Sequence, residues 1–271
     1  MLVSLFSGIT GLQAHQERLN VISNNIANVN THGYKRSSLS FQDIYYQTAS
    51  AGSAGTAGTV GGTNPRQVGY GTRVGGITKD MGRTGFEATN SGLDMAIDGD
   101  GFFVVKDGSG GTYYTRMGRF HFDDKGQLVD LNGSLVLDTT GTAITVANAA
   151  TAQSITFQKD GSIKVVDKDG KEQAQTQTIA VAAFPNPEGL LQAGSSYFSV
   201  SAASGAPTPA TGGKPGENGT GFISTGYLEM SNVDLSREFT DMITTQRGFQ
   251  ANSRIITTSD TILEELVNLK R

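Results

Sequence analysis

At 271 residues the chain can form one large or two ordinary domains with a sizeable core, and with no cysteine it has no disulfide, thiolate ligand or cysteine nucleophile. Charged residues are only 17%, the net charge is −4 and Lys and Arg are scattered, which excludes the concentrated basic face that nucleic acid requires. No apolar run approaches the ~20 residues of a membrane span, so membrane insertion is not expected.

The first residues, Met1 to Phe6, carry no basic n-region and no small-residue cleavage site, and do not read as a cleaved secretory signal. Leu2, Leu5, Ile9, Leu12, Leu19, Ile22, Ile26 and Val29 then recur by threes and fours, with Gln16 filling the gap. That spacing predicts an amphipathic helix with a narrow apolar seam. Its polar face is Ser, Thr, Gln and Asn rather than the Lys and Arg of a membrane-surface helix. Gly8 and Gly11 each cost roughly 1 kcal/mol against alanine, so the helix is marginal alone. Asn30-Thr31-His32-Gly33 supplies a left-handed stop.

Thr48 to Thr63 is almost only Ala, Gly, Ser and Thr, the composition of a flexible or extended connector, or of a loop that orders against a neighbouring molecule. From Val68 to about Val200, short alternating runs such as Phe102-Phe103-Val104-Val105, broken by Asp-Gly, Asn-Gly and Gly-Gly turns, predict β-structure. Phe120–Leu128 and Ile155–Ile163 read as two similar strand–turn–strand hairpins. Ala206–Thr220, rich in Pro and Gly, is a second loop.

In the C-terminal stretch Leu235, Phe239, Met242, Gln246, Phe249, Ser253, Ile256, Asp260, Leu263 and Val267 alternate steps of four and three. This is a 3.5-residue repeat, a coiled-coil seam on a helix ~50 Å long. Such a helix needs a partner. The chain is therefore expected to be α+β. Residues 1–33 with 230–271 would form a discontinuous helical coiled-coil domain, 34–71 an extended connector, and 72–229, including the 206–220 loop, a mainly antiparallel β-rich outer domain.

Catalytic chemistry is not apparent. His15, His32 and His121 lie in a helical seam, a turn and a strand, and none has a second His at ligand spacing. Asp98-Gly99-Asp100-Gly101 and the Asp167–Gly170 stretch lack the glutamate an EF-hand needs at its twelfth position. Gly69–Gly75 is not a dinucleotide fingerprint, and P-loop and nucleophile-elbow patterns are missing. No catalytic residue, metal or cofactor is expected.

Ser23–Lys35 (SNNIANVNTHGYK), with Asn24, Asn25, Asn28, Asn30, Gly33 and Tyr34, resembles the N-terminal motif of bacterial flagellar rod and hook proteins. Leu93–Phe103, Gly226–Leu235 and Gln246–Arg254, with Gln246, Arg247 and Asn252, agree with the same family in the same order. Within it, the Gly61–Gly69 stretch and the ending from Ile255 look most like the hook branch; the distal rod branch, of similar length, is the alternative. Little room remains here for the additional outer domain of longer hook proteins.

The resemblance implies a structural subunit exported unfolded through the flagellar type III apparatus to the extracellular flagellum without a cleaved signal. It implies self-assembly into a hollow helical homopolymer, with terminal helices as an inner coiled-coil layer and the β domain outside. A hook subunit would act as a flexible universal joint that transmits motor torque and conducts exported subunits. Its other partners would be distal rod, hook-cap and hook–filament junction proteins. Two other classes, a β-rich adhesin or binding module and a hydrolase, fit less well: an adhesin has no need of heptads at both ends, and a hydrolase should show a convergent polar cluster.

Overall fold

The computed structural model describes residues 2–55, 61–146, 154–167, 170 and 172–269, and these divide into two compact units. The first comprises the N-terminal stretch through Ala27, Ser37–Lys79 and the C-terminal stretch from Asp234; the second comprises Asn28–Arg36 and Asp80–Val233. Two helices thus flank a largely antiparallel β region, an α+β chain.

In the first unit, α1 (Leu2–Ala27) and α2 (Leu235–Asn268) accompany four strands, β1 (Ser37–Asp43), β2 (Tyr46–Ser50), β3 (Arg66–Gly69) and β4 (Thr72–Lys79). β1 pairs β4 and β2 pairs β3, both antiparallel. Bonds from Ile44 N–H to Gly71 O and from Tyr70 N–H to Tyr45 O join the pairs into one long ribbon, and a Ser53–Thr63 bridge continues it. Both ends of the Ala/Gly/Ser/Thr stretch therefore belong to a ladder; residues 56–60 lie outside the described part. Its composition reads as a connector because backbone hydrogen bonds, not apolar alternation, hold the two edges together.

α1 packs on this ribbon as well as on α2. At Gly71 (φ +111°) a Cβ would come within 2.2 Å of Thr10 Oγ1, so ribbon and helix meet there without a side chain between them. Asp234 caps α2: its Oδ1 accepts from the N–H of Ser236 at 2.9 Å and of Arg237 at 3.4 Å.

The second unit carries β5 (Phe86–Ala88), β6 (Met95–Asp98), β7 (Phe102–Lys106), β8 (Thr112–Thr115), β9 (Phe120–Phe122), β10 (Leu128–Asp130), β11 (Leu135–Val136) and β12 (Ser154–Phe157). It continues with β13 (Ser162–Val166), β14 (Glu172–Thr178), β15 (Val181–Ala183), β16 (Leu191–Gly194), β17 (Tyr197–Ser199), β18 (Thr208–Gly213), β19 (Phe222–Thr225) and β20 (Tyr227–Glu229). The main sheet runs β16-β17-β8-β7-β11-β10-β9, with β15 joining β7 to β18.

β7 is the axis of this unit. Side chains alternate across a strand, so Phe103 and Val105 enter one core with Met95, Leu128, Ile144 and Ile179, while Phe102 and Val104 enter another with Tyr114, Phe184 and Phe198. An unbroken apolar run is what a strand buried on both faces requires.

Among the described residues, five turns share one design. In Asp107–Gly111, Asp123–Gln127, Asp130–Ser134, Asp138–Thr142 and Gln158–Ser162, the first N–H bonds the fifth carbonyl and the glycine N–H at position four bonds the first carbonyl. Each of those glycines has positive φ, between +72° and +88°, the left-handed residue of a type I turn with a bulge. The hairpins β9–β10 and β12–β13, expected from their similar sequences, are built on two of these turns.

Candidate self-assembly site

α1 and α2 run antiparallel, as the pairing of their residues shows. Gly8 faces Ile256, Gly11 faces Asn252, and Gly248 faces His15; Arg18 reaches Asp241 at 3.5 Å, and Asn25 Nδ2 reaches Glu238 Oε2 at 3.2 Å. A Cβ on Gly11 would lie 2.9 Å from the Asn252 amide, and one on Gly248 2.6 Å from the His15 ring. Gly8 and Gly11, counted in the sequence only as a helix cost, thus let the two backbones approach.

The inner line of α2 is a 3.5-residue repeat. Met242, Phe249, Ile256 and Leu263 are half-buried, and they alternate with Glu238, Thr245 and Ser259, which are buried, and half-buried Asn252. Glu238 meets Asn25 across the helix pair, and two other polar residues of this line bond within α2. Thr245 Oγ1 donates to Asp241 O at 2.6 Å and Asn252 Nδ2 to Gly248 O at 3.0 Å.

On α1, Ala14, Ile22 and Asn25 are buried, and Leu5, Leu12, Leu19 and Ile26 half-buried; the Leu2 side chain lies outside the described part. Asn25 organises the end of the helix. Its Nδ2 donates to Ser37 O at 2.8 Å, and its Oδ1 accepts from Ser37 N–H at 3.0 Å, which fixes the first residue of β1.

Outward from both helices stands a second apolar set. Phe6 and Ile9 on α1, and Leu235, Phe239, Ile243, Ile255, Ile262, Leu266 and Val267 on α2, are exposed, Ile243 at 59% and Val267 at 69%. Gln246 and Arg247 are exposed, and Arg247 Nη1 donates to Gln250 Oε1 at 3.2 Å. A hollow of about 250 Å³ opens beside Leu12, Gln13, Gln16, Glu17 and Phe249. The ribbon is equally uncovered: Tyr45, Tyr46 and Val68 are exposed.

His15 packs edge-on against Phe41 at 5.4 Å, with Arg18 5.6 Å over the same ring. Its buried Nδ1 has no hydrogen-bond partner among the described residues. Burial, and then the Arg18 charge, lower its pKa below the ordinary value.

In the second unit the rest of the motif has a different task. Gly33 (φ +69°) runs against the backbone of Arg116 and Met117, where a Cβ would lie 2.9 Å away, and Tyr34 is buried. Lys35 Nζ, wholly buried, contacts Glu229 Oε1 at 2.7 Å and Gly82 O at 2.8 Å; Arg116 Nη1 contacts Glu229 Oε2 at 3.2 Å. Burial lowers the Lys35 pKa, while Glu229 opposes that shift. Asn28 Oδ1 accepts from Thr31 Oγ1 at 3.2 Å, whereas Val29 and Asn30 line a shallow hollow with His32, Glu87 and Met230. The exposed Asn24 also interacts within the chain.

Sequence reasoning did not single out Glu238, Thr245 or Ser259, nor the Glu229–Arg116 partnership. Glu238, Thr245 and Ser259 do carry a signal, a seven-residue spacing with Asn252, but their polar chemistry hid it. Among the described residues no group of three or more His, Asp or Glu side chains is arranged to hold a metal.

Known proteins place this geometry. The model "Flagella basal body rod protein" matches residues 5–35, "Flagellar hook protein FlgE/F/G D1 domain" residues 96–165, and "Flagellar basal body rod FlgEFG protein C-terminal" residues 224–269. The flagellar basal-body rod protein FlgG of Bacillus subtilis (strain 168) is 48% identical over 271 residues, the whole of both chains. The chain belongs to the flagellar rod and hook family. The rod protein FlgG of Caulobacter vibrioides is 40% identical over 269 residues, 98% of this chain and 99% of that one. The flagellar hook protein FlgE of Borreliella burgdorferi is 28% identical over 446 aligned positions that cover both chains fully. This last alignment far exceeds 271 positions because the hook protein carries long segments absent here. The hook reading of the sequence is thus less well supported than the rod alternative.

Proposed function

We propose that the chain is a distal-rod subunit of the bacterial flagellum, a structural protein that polymerises with copies of itself into a hollow helical shaft. The observation that carries this reading is end-to-end alignment with rod proteins, without the long insertion of the hook relative.

The helix pair supplies the driving force. Each exposed apolar side chain contributes roughly 1.5–3 kcal/mol when fully buried, so the outer residues of α1 and α2 favour burial between copies. The β2–β3 end of the ribbon is a two-stranded structure, and such a structure is marginal in water unless something covers it. A neighbouring copy is the natural cover. Helix face and ribbon are different surfaces, and a contact between unlike surfaces generates a helical array when its rotation does not close into a ring. The hook, the export apparatus and the neighbouring rod proteins are the further partners of this reading.

Deletion of the coding sequence in its native cell, followed by electron microscopy of isolated basal bodies, tests the assignment. A distal-rod role predicts a shortened rod and no hook. A completed rod lacking only its hook would return the assignment to the hook branch.

A further inference from the structure

The sequence contains two Asn-Gly pairs, Asn132-Gly133 and Asn218-Gly219, and the fold treats them oppositely. We infer that Asn218 is a site of spontaneous deamidation and that Asn132 is protected from it. The reaction needs an Asn side chain free to turn and a following main-chain nitrogen free to attack. Asparagine is among the thermolabile residues for this reason.

Glu217–Thr220 is a tight turn closed by Thr220 N–H to Glu217 O at 2.9 Å. Asn218 and Gly219 are its two central residues, with φ +52° and +79°, as a type I′ turn requires. The N–H of a central residue points out of such a turn. Accordingly neither Gly219 N–H nor the Asn218 side chain has a hydrogen-bond partner among the described residues. Asn218 is exposed, and the space beside the Gly219 Cα is open.

Asn132-Gly133 sits one position later in its turn. Gly133 is the closing residue, and its N–H donates to Asp130 O at 3.1 Å. Asn132 is held twice more: its N–H donates to Asp130 Oδ1 at 2.9 Å and its Nδ2 to Tyr197 Oη at 3.0 Å. Both nitrogen and electrophile are therefore occupied.

In the step itself the Gly219 main-chain nitrogen forms a bond to Asn218 Cγ and gives its proton to solvent. The Cγ–Nδ2 bond breaks, and the amide leaves as ammonia. Water then opens the five-membered succinimide at either carbonyl, giving aspartate or isoaspartate. One water is consumed, one ammonia is released and nothing is oxidised. Each event adds one negative charge, and the isoaspartate route also inserts a methylene into the turn. The turn leads directly to Gly221, whose N–H bonds Asp100 O at 2.7 Å, so lengthening it strains the entry to β19.

Ageing of the purified full-length chain in warm, mildly alkaline buffer, followed by peptide mass spectrometry, is the test. The peptide containing Asn218 should gain about 1 Da and split into two chromatographic products, several-fold faster than the Asn132 peptide, and Asn218→Gln should abolish the gain. In denaturant the two rates should converge as the turns disappear. Equal rates in the folded chain, or a difference that persists in denaturant, would overturn the assignment.

Discussion

At the scale of single residues the fold depends on close approach and on buried charge. Gly248 offers the clearest case of the first. Alanine there gains helix propensity of roughly 1 kcal/mol, but its Cβ would stand 2.6 Å from the His15 ring, which also packs against Phe41. Overpacking of this kind costs about 1–3 kcal/mol. Gly248→Ala should therefore lower the thermal midpoint of the purified chain, and His15→Ala in the same background should recover part of the loss, a coupling read by a double-mutant cycle. His15 also gives stability a pH dependence. Its folded pKa lies below its unfolded value, so the unfolded chain binds the proton more readily. The associated stability is complete above the unfolded value near 6.5 and falls as pH drops through and below it. Denaturant midpoints measured at pH 7.5 and 5.5 should differ by less in His15→Gln than in the parent. Glu229 is the counterpart for charge: with Glu229→Ala, Lys35 and Arg116 lose their shared carboxylate inside the protein. A loss of about 3–5 kcal/mol is expected, measured as the shift of the β unit's unfolding transition.

At the scale of elements, legibility followed chemistry. The β7 run was readable because four apolar residues in succession leave few alternatives to a buried strand. The Asp-x-x-Gly turns were readable because glycine at positive φ is a local requirement. On α2 the positions Met242, Phe249, Ile256 and Leu263 stand out as apolar at seven-residue spacing. Their companions on the inner line, Glu238, Thr245, Asn252 and Ser259, did not, because the second half of the repeat reads one residue later, through Gln246, Ser253 and Asp260, between the apolar ends Phe239 and Val267. Those two are exposed. What decides the inner line is the size of the residue across the gap: Gly8 and Gly11 leave room for Asn252 and Ile256, and close packing needs small residues more than greasy ones. The ribbon was hidden for a related reason, since a backbone ladder leaves little trace in composition. The outer residues should accordingly be dispensable for the monomer and needed between copies. Phe239→Ser with Ile243→Ser should leave the unfolding free energy within about 0.5 kcal/mol of the parent, as surface substitutions usually do, while sedimentation shows loss of polymer. An unfolded double variant, or one that polymerises normally, would remove those side chains from the assembly surface.

At the scale of the whole molecule, the proposed polymerisation takes the chain from a monomer to a firm place among its neighbours. Two features suit that sequence of events. The helix pair is held by glycine contacts, a few polar bonds and half-buried apolar residues, while much of its apolar surface faces outward. The β unit, by contrast, has two apolar cores of its own. The helical unit is therefore the less stable part of the monomer and gains most from assembly, because local opening is cheapest where few apolar contacts are buried. Hydrogen exchange of the amides in residues 2–27 and 235–268, compared between the monomeric and polymerised chain, tests this most directly. Rapid exchange in the monomer and strong protection in the polymer, with the β cores protected in both, is the predicted result. Full protection of both helices in the monomer, unchanged on polymerisation, would contradict it.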